Sequence, residues 1–138
     1  MDNGAIDPAG AIDPAGAIDP TALRALVEMV GGDAEFLDEL ADAYLAEAHG
    51  QIAAIRSAVE RDAAADVVRP AHTLKSTSAN LAAVRLAAVC RDLEEQARAG
   101  ALTDAAARLR VVEDEFVRAV DGLAALRGAR WAVPEAAG

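Results

Sequence analysis

From Leu37 to Val59, apolar residues recur at three- and four-residue steps (Leu37, Leu40, Tyr44, Ala48, Ile52, Ile55, Val59), a period that an α-helix gathers onto one face. Three further stripes repeat the pattern. Val67, Ala71, Leu74, Ser78 and Leu81 make the second; Leu86, Val89, Cys90, Leu93 and Ala97 the third; Leu109, Val112, Phe116, Val120 and Leu123 the fourth. Each stripe has to be buried against another, and only short turns separate them. The chain is therefore expected to be all-α, an antiparallel up-and-down four-helix bundle, with a short additional N-terminal helix from Ala22 to Val30 covering one end. Composition agrees: aromatics are only 3% of the 138 residues, and alanine, leucine, glutamate and arginine are plentiful, which favours helix over strand.

The punctuation can be read residue by residue. Gly31-Gly32 ends the short helix and Asp33 is placed to cap the long one, which the spacing carries to about Arg61, with a weak point at His49-Gly50. Asp62 is the expected cap of the next helix, although Pro70 then falls inside it and removes the bond to the Asp66 carbonyl, so this helix should bend or start later. Val84 to Ala99 follows, stopped by Gly100, and Thr103 is the expected cap of the last helix.

Before all this, Gly-Ala-Ile-Asp-Pro-Ala repeats from Gly4, Gly10 and Gly16, the last copy running into Thr21. Asp19 and Pro20 of the last copy are suited to the cap and first position of the short helix, while the earlier copies carry the same start signal with no helix behind it. Residues 1–18 are accordingly expected to be a repetitive, disordered tail, residues 19–127 the bundle, and residues 128–138 a second tail; whether Trp131 docks on the bundle is left open.

A formal net charge of -10 argues against a nucleic-acid partner, since phosphate backbones are held by clustered Lys and Arg. Cys90 is the only cysteine, so no internal disulfide is possible, and its place on the apolar stripe is that of a small core residue. No stretch approaches the ~18 uninterrupted apolar residues of a membrane span, and no signal core is evident, so a cytoplasmic location without membrane attachment is expected. With its stripes satisfied internally, the bundle is expected to be a monomer. One carboxylate per repeat makes a poor calcium loop, and His49 and His72 are far apart with no helical His/Glu pairing, so no metal site is expected.

His72 lies well off the second stripe. On the helical wheel its neighbours are Ala65, Val68, Arg69, Lys75, Ser76 and Ala79, short side chains that leave an imidazole open to a partner and two cations able to compensate an arriving negative charge. That ring suits a phosphorylated histidine. His49, by contrast, has no small-residue ring and no lysine one turn on, and reads as a solvated rim residue.

The stretch His72, Leu74, Lys75, Ser76, Thr77, Ser78 resembles the signature of the histidine-containing phosphotransfer (HPt) domain family: a His, a Leu two residues on, then Lys, Gly, a small residue and Ser. The resemblance extends through Ala79-Asn80-Leu81-Ala82-Ala83, to Leu86, Cys90, Leu93 and Glu94, and upstream to Gly31-Gly32-Asp33-Ala34-Glu35-Phe36-Leu37. Two positions depart from the family pattern: Ser76 replaces a glycine, and Ala82 stands where a glycine commonly follows Ser-Ala-Asn. Ser76 is still small and can donate a hydrogen bond to a phosphoryl oxygen. If the turn at Ala82 needs a positive φ, alanine costs on the order of 1 kcal/mol there.

The resemblance implies a phosphorelay intermediate, with His72 accepting a phosphoryl group from a receiver-domain aspartate and passing it to another. Its implied partners are response-regulator receiver domains and a hybrid sensor histidine kinase. This chain would bind no cofactor of its own, the Mg²⁺ belonging to the receiver. Lys75 and Ser76 would support the phosphoryl group and Ala65, Val68, Arg69 and Ala79 would dock the partner; the plainer reading of Lys75 and Arg69 is that they solvate the face. A free imidazole titrates near pH 6.5, so an exposed one is largely neutral at cytoplasmic pH and nucleophilic without a base. Self-phosphorylation from ATP is disfavoured, because Thr73 follows His72 where sensor kinases usually carry an acidic residue, and no glycine-rich nucleotide loop is present. The remaining alternative is a non-catalytic bundle that docks or sequesters a receiver.

Overall fold

The structure, a computed structural model, describes residues 14–133. In chain order the helices are α1 (Pro14–Ala17), α2 (Pro20–Met29), α3 (Ala34–Glu60), α4 (Ala64–Asn80), α5 (Val84–Arg98) and α6 (Ala105–Gly128), with no strand among the described residues. Helix α3 packs on α4, α4 on α5, α5 on α6 and α6 back on α3, so the four longest helices close a ring around one core. Leu37, Ile55, Val67, Leu74, Leu86, Leu93 and Val112 lie at its centre, essentially without solvent contact. Most side chains of the four stripes face inward, with Leu40, Val59, Val89 and Val120 only partly buried, and Ala41, Ala58, Ala119 and Leu126 join them.

Helix ends follow one rule. Helices α2 to α6 each close with paired bonds of the Schellman type, the third residue past the helix donating back to the carbonyl five residues earlier: Gly32 to Val27, Ala63 to Ala58, Ala83 to Ser78, Ala101 to Gln96 and Trp131 to Leu126. The device requires a left-handed residue just past each end. Glycine supplies it at Gly31 and Gly100, but Asp62 (φ 53°), Ala82 (φ 65°) and Arg130 (φ 55°) adopt it with a side chain present. The positive φ anticipated at Ala82 is thus real.

At the starts, Asp19 and Asp33 accept from the backbone N–H groups of Ala22 and Phe36, as their positions in the sequence suggested. Two expected caps differ. Asp62 terminates α3 instead of starting α4, whose first flanking residue, Ala63, makes no side-chain cap. Asp104, held left-handed and also without a side-chain cap bond, stands at the cap instead of Thr103, because a separate turn at Thr103-Asp104 carries the chain into the helix. Helix α3 runs unbroken through Gly50, and α4 runs through Pro70, whose ring is buried. A glycine or proline carried by a helix packed along its length need not break it.

The expected domain boundaries shift outward at both ends. Ala17 and Ile18 are 2% and 5% exposed and belong to the core, α1 packs on α5 and α6, and the Asp19 N–H donates to the Ala82 carbonyl at 2.8 Å. The last repeat copy is therefore part of the fold; of the tail expected over 1–18, residues 1–13 lie outside the described residues. At the other end Trp131 is 3% exposed and its indole N–H donates to Asp38 Oδ1 at 2.8 Å, so the chain stays packed on the bundle beyond residue 128. Arg127 and Arg130 also meet Asp38. The indole hydrogen bond is the main influence holding the Asp38 carboxyl below its usual range, helped by the two guanidiniums against a partial burial that raises it.

Candidate functional site

Helix α4 presents two opposed faces. Val67, Pro70, Ala71, Leu74 and Ser78 turn inward, and the buried Ser78 hydroxyl pairs with the Tyr44 hydroxyl at 2.8 Å, tying α4 to α3. Burial pushes the Tyr44 phenol up to about 12, so this pair stays neutral across the physiological range. His72 lies on the outer face with its side chain 53% exposed. Around it Ala65, Arg69, Ser76 and Ala79 are exposed, Val68 is half-buried against the core, and Lys75 is half-buried. The residues named from the helical wheel thus share one face. Among the described residues no acidic group pairs with Arg69, which is free to meet one from outside.

The imidazole does not stand alone. Glu94 on α5, its side chain only 6% exposed, brings Oε2 within 2.9 Å of His72 Nδ1, while its Oε1 pairs with Lys75 Nζ at 3.0 Å. Arg98, one turn further along α5, places Nη2 at 2.7 Å and Nε at 3.1 Å from the same Oε2. Burial would raise the Glu94 carboxyl, but hydrogen bonds from Arg98, Lys75 and His72 outweigh it and hold the group down at about 2. Glu94 is accordingly an acceptor at any physiological pH. An ionised carboxylate can only accept, so Nδ1 is the donor of this contact, and no described residue bonds to Nε2.

Sequence reasoning named His72, Lys75 and Ser76 but assigned no role to Glu94 or Arg98. A signal existed: a glutamate beside Leu93 on an otherwise apolar stripe, followed four residues later by an arginine, is an ion pair on the shoulder of the core. What the sequence did not contain was the crossing of α4 and α5 that sets Glu94 against a histidine 22 residues away. His49, the other histidine, sits on α3 with its ring edge-on to Phe116 at a centroid distance of 5.1 Å. It borders a groove with Ile52, Arg56, Glu113, Val117 and Val120 between α3 and α6, the helix pair that does not carry His72.

A half-exposed imidazole held by a buried carboxylate, flanked by cations and small side chains on the outside of a helical ring, is the arrangement of a protein class able to carry a group on histidine. Comparison with known proteins agrees with that class. The family model for the Hpt domain matches residues 39–127. The crystal structure of histidine-containing phosphotransfer protein B (HptB) from Pseudomonas aeruginosa PAO1 is similar over 83% of this chain and 94% of that one, at 30% identity and a TM-score of 0.70. A search of curated proteins finds no match. The chain belongs to the Hpt domain family, the histidine phosphotransfer domains of phosphorelays. No described helix is long and apolar enough to cross a membrane.

Proposed function

We propose that this protein is a phosphorelay intermediate built on an up-and-down four-helix bundle, accepting a phosphoryl group on His72 from a receiver-domain aspartate and donating it to another receiver. The observation that carries the reading is the half-exposed imidazole whose Nδ1 is held by Glu94, with no described residue bonded to Nε2. In the forward step Nε2 attacks the phosphorus of the aspartyl phosphate. An N–P bond forms as the O–P bond breaks, and the carboxylate leaves on the receiver. Such transfer asks chiefly for alignment and charge compensation.

In this reading the receiver brings its own Mg²⁺ and acidic pocket, and this chain supplies no cofactor. Lys75 is one turn from His72 and Ser76 lies beside it, so an ammonium and a hydroxyl can both reach the phosphoryl oxygens. Ala65, Val68 and Ala79 form a low apolar shelf that a partner helix can cover, and Arg69 faces the acidic pocket. Partners are receiver domains, including that of a hybrid sensor histidine kinase, met by a cytoplasmic monomer.

The test is to incubate the protein with an aspartyl-phosphorylated receiver and Mg²⁺ and to look for an acid-labile, alkali-stable phosphate. The expected result is label on the wild type and none on His72→Gln. Absence of label on the wild type with several receivers would instead favour a bundle that docks or sequesters receivers without chemistry.

A further inference from the structure

Three donors on two helices converge on one carboxylate, and that arrangement bears on what happens after His72 is phosphorylated; the inference rests on the reading of His72 as phosphoacceptor. Lys75 and Arg98 contribute two positive charges and Glu94 one negative, so with a neutral imidazole the cluster carries +1. A phosphoryl group on Nε2 carries about −2, and the ring that keeps its Nδ1 proton turns cationic, so the cluster falls from +1 to about 0. Both cations are within a side chain's reach of that group, yet both are already paired with Glu94, whose carboxylate is 6% exposed and has no aqueous alternative. The phosphoryl oxygens must therefore compete with Glu94 for the charges that would stabilise them. Arg69, exposed one turn before His72, is the remaining cation of this face.

The second contact acts in the same direction. Glu94 Oε2 sits on Nδ1, the nitrogen not used for phosphorylation, and a carboxylate there keeps the proton on a phosphorylated ring and so keeps the ring cationic. When a receiver aspartate attacks the phosphorus, the O–P bond forms and the N–P electron pair returns to Nε2. Nδ1 already holds its proton, so the imidazole leaves neutral and no proton has to be found.

We propose that Glu94 is a positioning residue that keeps the phosphoryl group on His72 transferable, by holding the Nδ1 proton and by detaining Lys75 and Arg98. Glu94→Gln retains length and an acceptor while removing the charge. A charge-assisted hydrogen bond is about twice as strong as a neutral one, which corresponds to a rate change of about threefold to tenfold.

The experiment charges both proteins with phosphoramidate, whose P–N bond breaks as ammonia leaves and the phosphoryl group joins Nε2, so that no partner docking is needed. After desalting, two rates are followed: loss of phosphohistidine in buffer, and discharge to a receiver with Mg²⁺. The expected result is a phosphohistidine about threefold to tenfold longer-lived in Glu94→Gln, discharged correspondingly more slowly, with the N–P linkage still at Nε2. An equal or shorter lifetime in a variant that is still folded at the assay temperature would overturn the proposal, since a merely structural glutamate would give that result. The ¹⁵N spectrum of the phosphorylated wild type decides independently of how the variant folds: a protonated Nδ1 at neutral pH is expected, and a bare Nδ1 would overturn it. Failure of the wild type to accept phosphate on His72 at all would end both this inference and the functional reading beneath it, and is distinguishable because no lifetime could then be measured.

Discussion

Replacing Trp131 by alanine should destabilise the protein by about 3–5 kcal/mol, a large part of the 5–15 kcal/mol that folded domains typically have. The figure follows from burial. The indole is 3% exposed, its backbone N–H closes the Schellman pair at the end of α6 by bonding to Leu126 at 2.7 Å, and its ring N–H reaches Asp38 on α3. Truncation removes the largest ring of the sequence from the junction of α3 and α6. Trp131→Phe should cost much less, because the ring volume stays and Asp38 keeps Arg127 and Arg130 as partners. The assay is urea unfolding followed by far-ultraviolet circular dichroism, with a blue-shifted wild-type emission as a check, since Trp131 is the only tryptophan. A loss below about 1 kcal/mol for Trp131→Ala, or emission typical of a solvated indole, would refute the reasoning that the chain beyond α6 belongs to the fold.

Three further outcomes are expected. Glu94 is held at about 2 in the folded protein against 4.5 in the unfolded chain, so its contribution is present above pH 4.5 and is lost as pH falls from there toward 2; because His72 and Arg98 are half exposed, solvent screening limits it to about 1–2 kcal/mol, readable as a reduced acid-induced loss of stability in Glu94→Gln. Tyr44→Phe and Ser78→Ala should each cost about 1–2 kcal/mol by stranding a buried hydroxyl, while the double variant should cost less than their sum, which a double-mutant cycle measures. Ala82→Gly should be neutral within about 0.5 kcal/mol: relief of the left-handed strain, about 1–2 kcal/mol, is offset by a lost buried methyl at about 0.8 kcal/mol and by the greater freedom of glycine in the unfolded chain.

The core was legible because burial on a helix writes a period into the sequence. Leu37, Ile55, Leu74, Leu86 and Val112 face inward where their spacing placed them, and His72 faces out because it falls between those spacings. Termini were less legible. Asp62 has the chemistry of a cap and serves instead as a left-handed stop, since aspartate tolerates both roles and the choice depends on where the preceding helix runs out. Ile18 and Trp131 lie outside any periodic stripe, and their burial depends on a cleft that exists only once the long helices have packed. The same applies to the site: Lys75 and Ser76 are neighbours of His72 within one helix, whereas Glu94 and Arg98 reach it only through the contact between α4 and α5.

The most direct test of the account is to transfer phosphate from a receiver to the wild-type protein and locate the linkage by ³¹P and ¹⁵N spectroscopy. The account predicts a single phosphohistidine, at Nε2 of His72, with Nδ1 still facing Glu94. Phosphate on Nδ1, on His49, or on no histidine would contradict it.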